Sequence, residues 1–295
     1  MRVLVLGANG QLGSDLCKLY PPRHPAFELL PFTRNELDVS DLIDIAPTLE
    51  ANAFDVLVNC TGYHKTDEVE TNATLALTIN AHAVRIMAEI CHKKHAKLIH
   101  ISTDYVFSGE AIQPYTESDC PRPINVYGAS KAMGEMLALM THDQVYIVRV
   151  ASLFGSAGAS GKGGNFVETM LRIAKEKGEV RVVNDIVMSP TATADIADGI
   201  VTLIEEQPEP GIYHAVNSGQ ATWYEFAHEI IKRAGIKATV IPLTSSGFPT
   251  VARRPAYSVL DNSKLSSIVG EIPHWIDALD RYLHKQDKRS TWLRR

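Results

Sequence analysis

Val3-Leu4-Val5-Leu6-Gly7-Ala8-Asn9-Gly10-Gln11-Leu12-Gly13 sets an unbroken apolar run directly against three glycines spaced by two. Four aliphatic residues without alternation fit a strand buried on both faces, the habit of a parallel sheet. The glycines permit a tight turn and let backbone come close to a pyrophosphate. The negative charge of that group suits the N-terminus of the helix opening at Gln11. The stretch is therefore a nucleotide-binding strand–turn–helix unit.

Outward from this unit the same alternation continues. Further strands are expected at 27–32, 56–60, 98–102 and 145–150, separated by helices near 11–19, 40–50, 74–94 and 126–140. Apolar strands alternating with helices specify an α/β, doubly wound parallel sheet of Rossmann type, with ligands at the carboxyl ends of the strands. After residue 150 the pattern loosens. Gly155 to Gly164 holds five glycines (155, 158, 161, 163 and 164) and is expected to form a mobile loop over a site. A helix is expected over 165–177, a strand over 180–184, and a helix over 191–206 opened by a threonine cap. Another strand follows at 211–216 and another helix at 222–234. The domain reading is 1–152 for dinucleotide binding, with 187–215 returning to it. Residues 153–186 and 216–295 then form a smaller mixed α/β substrate lobe, with short strands and helices expected over 235–295.

Composition narrows the class. Hydrophobic residues at 45% against 21% charged support a packed core and argue against disorder. A net charge of −5 offers no basic stripe for nucleic acid. No apolar run approaches the ~20 residues of a membrane helix, and Met1-Arg2 leads straight into a strand, which leaves no room for a signal peptide. The four cysteines (Cys17, Cys60, Cys91, Cys120) are scattered, which fits free thiols in a reducing cytoplasm. Cys91, His92, His95 and His100 are close in sequence, but a helix end running into a strand explains them better than a metal site does. Solvated histidines are expected there, and no metal.

Tyr127-Gly128-Ala129-Ser130-Lys131 carries the chemistry. A phenol and an ammonium four positions apart share one face of a helix. A cation beside the phenol favours phenolate and would draw the tyrosine down from its ordinary value of about 10, so that it could exchange a proton with a carbonyl oxygen near neutral pH. The end of the second strand bears on the cofactor. Thr33-Arg34 stands where a carboxylate would hold the ribose of NAD, and an arginine with a hydroxyl suits a 2′-phosphate. NADPH is expected, with NADH as the alternative. Asp38-Val39 is placed to meet the adenine edge.

Gly7-x2-Gly10-x2-Gly13, Asn59, Ser102-Thr103-Asp104 and Tyr127-x3-Lys131 together resemble the extended short-chain dehydrogenase/reductases. Gly10-Gln11-Leu12-Gly13, Leu37-Asp38-Val39, the run from Ser102 to Phe107, Asn125 to Gly128, Gly164 to Val167 and Arg254 to Ser258 resemble the dTDP-4-dehydrorhamnose reductase subgroup. That resemblance implies a reductase acting on the C4 ketone of a nucleotide-linked 4-keto-6-deoxy sugar, dTDP-4-dehydro-L-rhamnose to dTDP-L-rhamnose. It implies Tyr127 as general acid, Lys131 as the residue that holds the nicotinamide ribose and acidifies Tyr127, and Thr103 on the same ketone oxygen. Asp104 would position the sugar. Gly7, Asn9, Gly10, Gln11 and Leu12 would cradle the pyrophosphate, with Cys60, Thr61, Gly62 and Tyr63 flanking the cofactor. Asn165, Phe166 and Arg254 would contact the nucleotide sugar, Arg254 through the planar fork that matches a diphosphate. A homodimer is compatible with the resemblance.

The chain also departs from the subgroup. Leu153 replaces a tryptophan that lies against the sugar there, and Asp185-Ile186-Val187-Met188 has apolar residues in place of a glutamine and a glycine. Sugar identity therefore stays open. A nucleotide-sugar epimerase or dehydratase is one rival, although Tyr105 follows Asp104 where a dehydratase needs a glutamate. A non-catalytic NADP-binding subunit, resembling the regulatory subunit of methionine adenosyltransferase, is the other.

Overall fold

The computed structural model describes residues 1–23, 27–157, 164–248 and 250–292. Its first part runs β1 (Arg2–Leu6), α1 (Gln11–Arg23), β2 (Glu28–Phe32), α2 (Leu42–Ala51), β3 (Val56–Asn59), α3 (Thr66–Thr71) and α4 (Ala73–Leu77). A π-helical turn over Thr78–His82 joins α4 to α5 (Ala83–Lys94), and β4 (Lys97–Thr103), α6 (Val126–Thr141) and β5 (Val145–Val150) follow. The remainder comprises β6 (Leu153–Phe154), α7 (Phe166–Lys177), β7 (Glu179–Val183), β8 (Val187–Met188), β9 (Thr191–Ala192), α8 (Thr193–Glu206) and β10 (Gly211–His214). The chain then forms β11 (Ala221–Thr222), α9 (Trp223–Arg233), β12 (Thr239–Leu243), α10 (Ser263–Val269) and α11 (Trp275–Trp292).

Six strands form one parallel sheet in the order β10-β5-β4-β3-β1-β2. Alternate residues of each strand enter two different cores. Val3, Val5, Val56, Val58, Ile99 and Val148 face a layer that includes Leu12, Leu16, Ile196 and Ile200 of α1 and α8. Leu4, Leu6, Leu57, Leu98, Val145 and Ile147 face Ile45, Leu49, Val84, Met87 and Ala138 of α2, α5 and α6. Burial on both faces is why β1 and β3 read as nearly continuous apolar runs. The strand order reverses on either side of β1, so the crevice for a ligand opens above the turn that β1 feeds.

The second lobe has its own core, in which Phe154, Val167, Phe226, Ile230, Trp275 and Leu279 pack together. Three two-stranded ribbons frame it: β7 with β12, β8 with β11, and β6 with β9. Two capping boxes start its helices, Asn165 with Glu168 on α7 and Thr222 with Glu225 on α9. Two local expectations need correction. The helix expected from residue 191 begins at Thr193, and its N-cap is Ala192, with no side-chain cap. Thr191 is in β9 instead, and its hydroxyl donates to the Ser189 carbonyl. The other is α11, an 18-residue helix where short strands and helices are expected. Most of the glycine-rich loop expected over 155–164 lies outside the described residues. No helix among the described residues is long and apolar enough to cross a membrane.

Candidate active site

The turn after β1 is built to keep side chains out. Gly7 has φ +75, the left-handed region that favours glycine. Its carbonyl accepts from the Gly10 N–H at 2.9 Å. A Cβ at Gly13 would fall 2.2 Å from that same carbonyl, so α1 can approach the turn only with glycine there. The Ala8 N–H donates to the Phe32 carbonyl at 3.0 Å and the Cys60 N–H to the Leu6 carbonyl at 3.0 Å, tying the turn to the ends of β2 and β3. The buried Gln11 Oε1 has no hydrogen-bond partner among the described residues. A bare backbone turn at a helix N-terminus fits the diphosphate of a dinucleotide.

This turn floors one end of a cavity of about 990 Å³. Gly7, Asn9, Gly10, Gln11, Leu12, Arg34, Asp38, Val39, Cys60, Thr61 and Gly62 line that end. Thr103, Asp104, Tyr105, Tyr127 and Lys131 line the middle. Leu153, Phe166, Met170, Ile186, Trp223 and Arg254 line the far end. A cleft of this volume is at the upper end of what small-molecule sites span.

Arg34 reaches the rim with its side chain 78% exposed, and two of its nitrogens donate to Asp38 Oδ2 at 2.9 and 2.8 Å. Thr33, expected to add a hydroxyl, donates that hydroxyl to Glu36 and is not part of the lining. Tyr63 also falls outside the lining. Its backbone N–H donates to Asn80 Oδ1 at 2.8 Å and its phenol faces Glu68 on the surface.

α6 presents the reactive pair. Asn125 caps it by accepting from the Gly128 N–H at 2.7 Å, while its amide nitrogen donates to the Arg253 carbonyl across the cleft at 2.8 Å. Tyr127, Lys131 and Glu135 then follow at four-residue intervals along the face turned to the sheet. A Cβ at Gly134 would fall 2.1 Å from the Asn80 carbonyl, so the helix presses against the π-helical turn. Below the reactive pair, Glu135 and Arg149 form a buried ion pair at 2.7 Å, and the Ser102 hydroxyl donates to Glu135. One carboxylate thereby locks α6 to β4 and β5.

Tyr127 packs edge-on against Tyr105, with ring centroids 5.8 Å apart. Its acidity contradicts the sequence expectation. Burial pushes the phenol well above its ordinary value, the Thr103 hydroxyl works the other way, and Asp104 and Tyr105 push it up further. Lys131 Nζ turns to β4. That amine donates to the Ile101 carbonyl at 2.6 Å and lies 3.1 Å from His100 Nε2. Burial lowers Lys131 to about 8, against the opposing effects of Glu135 and Cys60. Burial also raises Asp104 to about 6, opposed by the Ser258 and Thr103 hydroxyls. Thr103 Oγ1 donates to Asp104 Oδ1 at 3.0 Å.

At the far end, Arg254 pairs with Asp67 at 2.9 Å and keeps a quarter of its side chain exposed. Phe166 and Trp223 meet at 4.6 Å between ring centroids. Asn165, expected to touch substrate, is not part of the lining. Its oxygen caps α7 by accepting from the Glu168 N–H, and its nitrogen donates to the Gly155 carbonyl and the Tyr282 phenol at 3.0 and 2.9 Å.

Trp223 and Arg181 line the cleft without belonging to any sequence motif, and Asn80 holds the Tyr63 backbone from the π-helical turn. Against the expectation of a solvated histidine, His100 is fully buried beside Lys131. The one available signal was register. His100 lies two residues after Leu98 on β4, so it faces the same helical layer as that core leucine.

Residues 1–288 match the family model for the RmlD substrate binding domain. The chain is 35% identical to the spore coat polysaccharide biosynthesis protein SpsK of Bacillus subtilis over 285 residues, covering 97% of this chain and 98% of that one. It is 35% identical to the dTDP-4-dehydrorhamnose reductase of Burkholderia thailandensis over 292 residues, covering 93% and 95%. The crystal structure of dTDP-4-dehydrorhamnose reductase from Bacillus anthracis in complex with NADP superimposes with a TM-score of 0.90 at 36% identity, covering 96% of this chain and 99% of that one.

Proposed function

The chain belongs to the RmlD substrate binding domain family, and from that premise we propose that it is an NADPH-dependent reductase of the C4 ketone of a nucleotide-linked 4-keto-6-deoxy sugar, dTDP-4-dehydro-L-rhamnose giving dTDP-L-rhamnose. The observation that carries this reading is the meeting of Tyr127 and Thr103 midway along one cleft. The glycine turn lies at one end of that cleft and Arg254 with Phe166 at the other. When bound, the nicotinamide supplies the hydride.

The chain's own residues then have separable tasks. Tyr127 stays protonated at neutral pH because burial holds its phenol high, so it has a proton to give the C4 oxygen as the ketone is reduced. The Thr103 hydroxyl lies beside the phenol and can share the same oxygen. Asp104, close to half-protonated near pH 6, can meet a sugar hydroxyl as donor or acceptor. Arg254 offers a planar fork to the diphosphate once it exchanges Asp67 for it. Arg34 at the rim suits a 2′-phosphate.

The test is NADPH oxidation on dTDP-4-keto-6-deoxy sugar, with product configuration read by NMR. The Tyr127→Phe variant keeps the ring and removes its proton, so turnover should fall about 100- to 10,000-fold. Near wild-type turnover in that variant would remove Tyr127 from the mechanism.

A further inference from the structure

Beneath Lys131 lies a buried polar chain that the reading above does not use. Asn59 ends β3 and His100 is its direct register partner on β4; both are fully buried. Asn59 and His100 face the layer in which α6 lies, where Lys131 comes down on them. The contacts run in one line: Thr61 to Asn59, Asn59 Nδ2 to His100 Nδ1 at 3.1 Å, and His100 Nε2 to Lys131 Nζ at 3.1 Å.

Donor and acceptor roles propagate along that line from its fixed end. The Thr61 backbone N–H can only donate, and it donates to Asn59 at 3.0 Å, so the amide oxygen must be on that side. The Thr61 hydroxyl reaches the same oxygen. The Asn59 –NH₂ therefore faces His100 Nδ1, which must accept. A neutral imidazole that accepts at Nδ1 carries its proton on Nε2. That N–H is aimed at Lys131 Nζ. An ammonium has three donors and no lone pair, whereas an amine can accept one hydrogen bond and still donate to the Ile101 carbonyl. The geometry points to His100 as a positioning residue: held by Asn59 as its Nε2–H tautomer, it caps the lone pair of an uncharged Lys131.

The other groups around Lys131 are compatible with this. On α6, Glu135 is the neighbouring carboxylate, and Arg149 and Ser102 already engage its oxygens. On β3's continuation, burial pushes the Cys60 thiol far up, so it brings no charge. Tyr127 stays neutral for the same reason. Asn80 faces this region with a neutral amide that bonds Ser130 and the Tyr63 backbone. Burial holds His100 itself well below its ordinary range, so it stays neutral and keeps a single ring proton. A lysine held as an amine against His100 has no charge to act on Tyr127, and its charge becomes available only when it leaves His100.

The experiment is NMR on the free protein, so its outcome is separate from that of the reductase reading on which the consequence for Tyr127 rests. Long-range ¹H–¹⁵N spectra, with His100 assigned by its loss in His100→Gln, should give the Nε2–H tautomer. The ¹³Cε signal of Lys131 should titrate below pH 8, more than 100-fold more acidic than a free lysine. Asn59→Asp presents an acceptor to Nδ1, so it should move the ring proton to Nδ1 and raise the Lys131 midpoint by at least tenfold in proton affinity. His100→Gln can turn its amide oxygen to the lysine without adding charge, and should shift the midpoint in the same direction. An Nδ1–H tautomer in the wild type, or a Lys131 still charged through pH 9, overturns the proposal. A chain inactive on sugar nucleotides would leave both measurements unchanged.

Discussion

At the scale of single residues, two side chains give opposite kinds of test. Asp104 is a carboxyl raised by burial to about 6 from its ordinary 3.8. Between those values the folded chain binds the proton that the unfolded chain has lost, so stability from this group is fully present below about pH 4 and declines as pH rises to 6. Asp104→Asn removes that slope. In urea unfolding, the stability difference between variant and wild type should move in the variant's favour by about 2–3 kcal/mol from pH 4 to pH 7. A difference that stays flat with pH would mean Asp104 is ionised throughout. Arg34 is exposed and shares its fork with Asp38, so its effect should be confined to the ligand. Arg34→Ala should weaken NADPH binding about tenfold and NADH binding little, the scale of one charge-assisted contact at a surface. Equal losses for both would end the 2′-phosphate argument. Place in the cleft was legible where a motif fixed spacing, as with Tyr127 and Lys131. The motif said nothing of direction, so it did not predict that Lys131 would turn to His100.

At the scale of elements, legibility followed the source of the signal. The five strands read from the first half lie within a residue or two of their observed bounds; burial on both faces leaves a continuous apolar run in β1 and β3, while β2, at the sheet edge, is only half-buried. Asn165 shows the limit. An asparagine ahead of Phe166-Val167-Glu168 serves equally as a substrate contact or a capping box, and only the bonds to Glu168, Gly155 and Tyr282 assign it to the second. Asn80 had no signal at all, because a π-helical turn leaves no mark on hydrophobic periodicity. The junction of β1 and α1 supports a sharper prediction. A methyl at residue 13 would sit 2.2 Å from the Gly7 carbonyl, and backbone on both sides of the turn would have to separate. Gly13→Ala should therefore lower stability by about 1–3 kcal/mol and weaken NADPH binding together with NADH binding, since the pyrophosphate turn serves both. Denaturation and fluorescence titration check the two effects, and unchanged values in both would show the turn to be looser than its glycine spacing implies.

At the scale of the whole molecule, the second lobe draws its core from both sides of β10, with Phe154 to Ala192 before it and Ala221 to Leu283 after it. The chain leaves after β5, builds much of the lobe's core, and returns at β10 to pair with β5. Tyr146 and Tyr213 stack across this seam at 6.2 Å, both fully buried. A fragment ending at residue 152 would keep the glycine turn and the Tyr127–Lys131 pair, yet its β5 would be an apolar edge with unpaired backbone. Such a fragment should be recovered largely aggregated, and a soluble, dinucleotide-binding 1–152 fragment would refute the dependence. The same seam has a meaning in time. During synthesis at about 5–20 residues per second, His214 emerges some 64 residues after Val150, so β5 waits uncovered on the ribosome for about 3–13 s. A nascent chain of this design has an interval in which its most aggregation-prone edge is exposed, and translation speed between residues 150 and 214 becomes a determinant of yield.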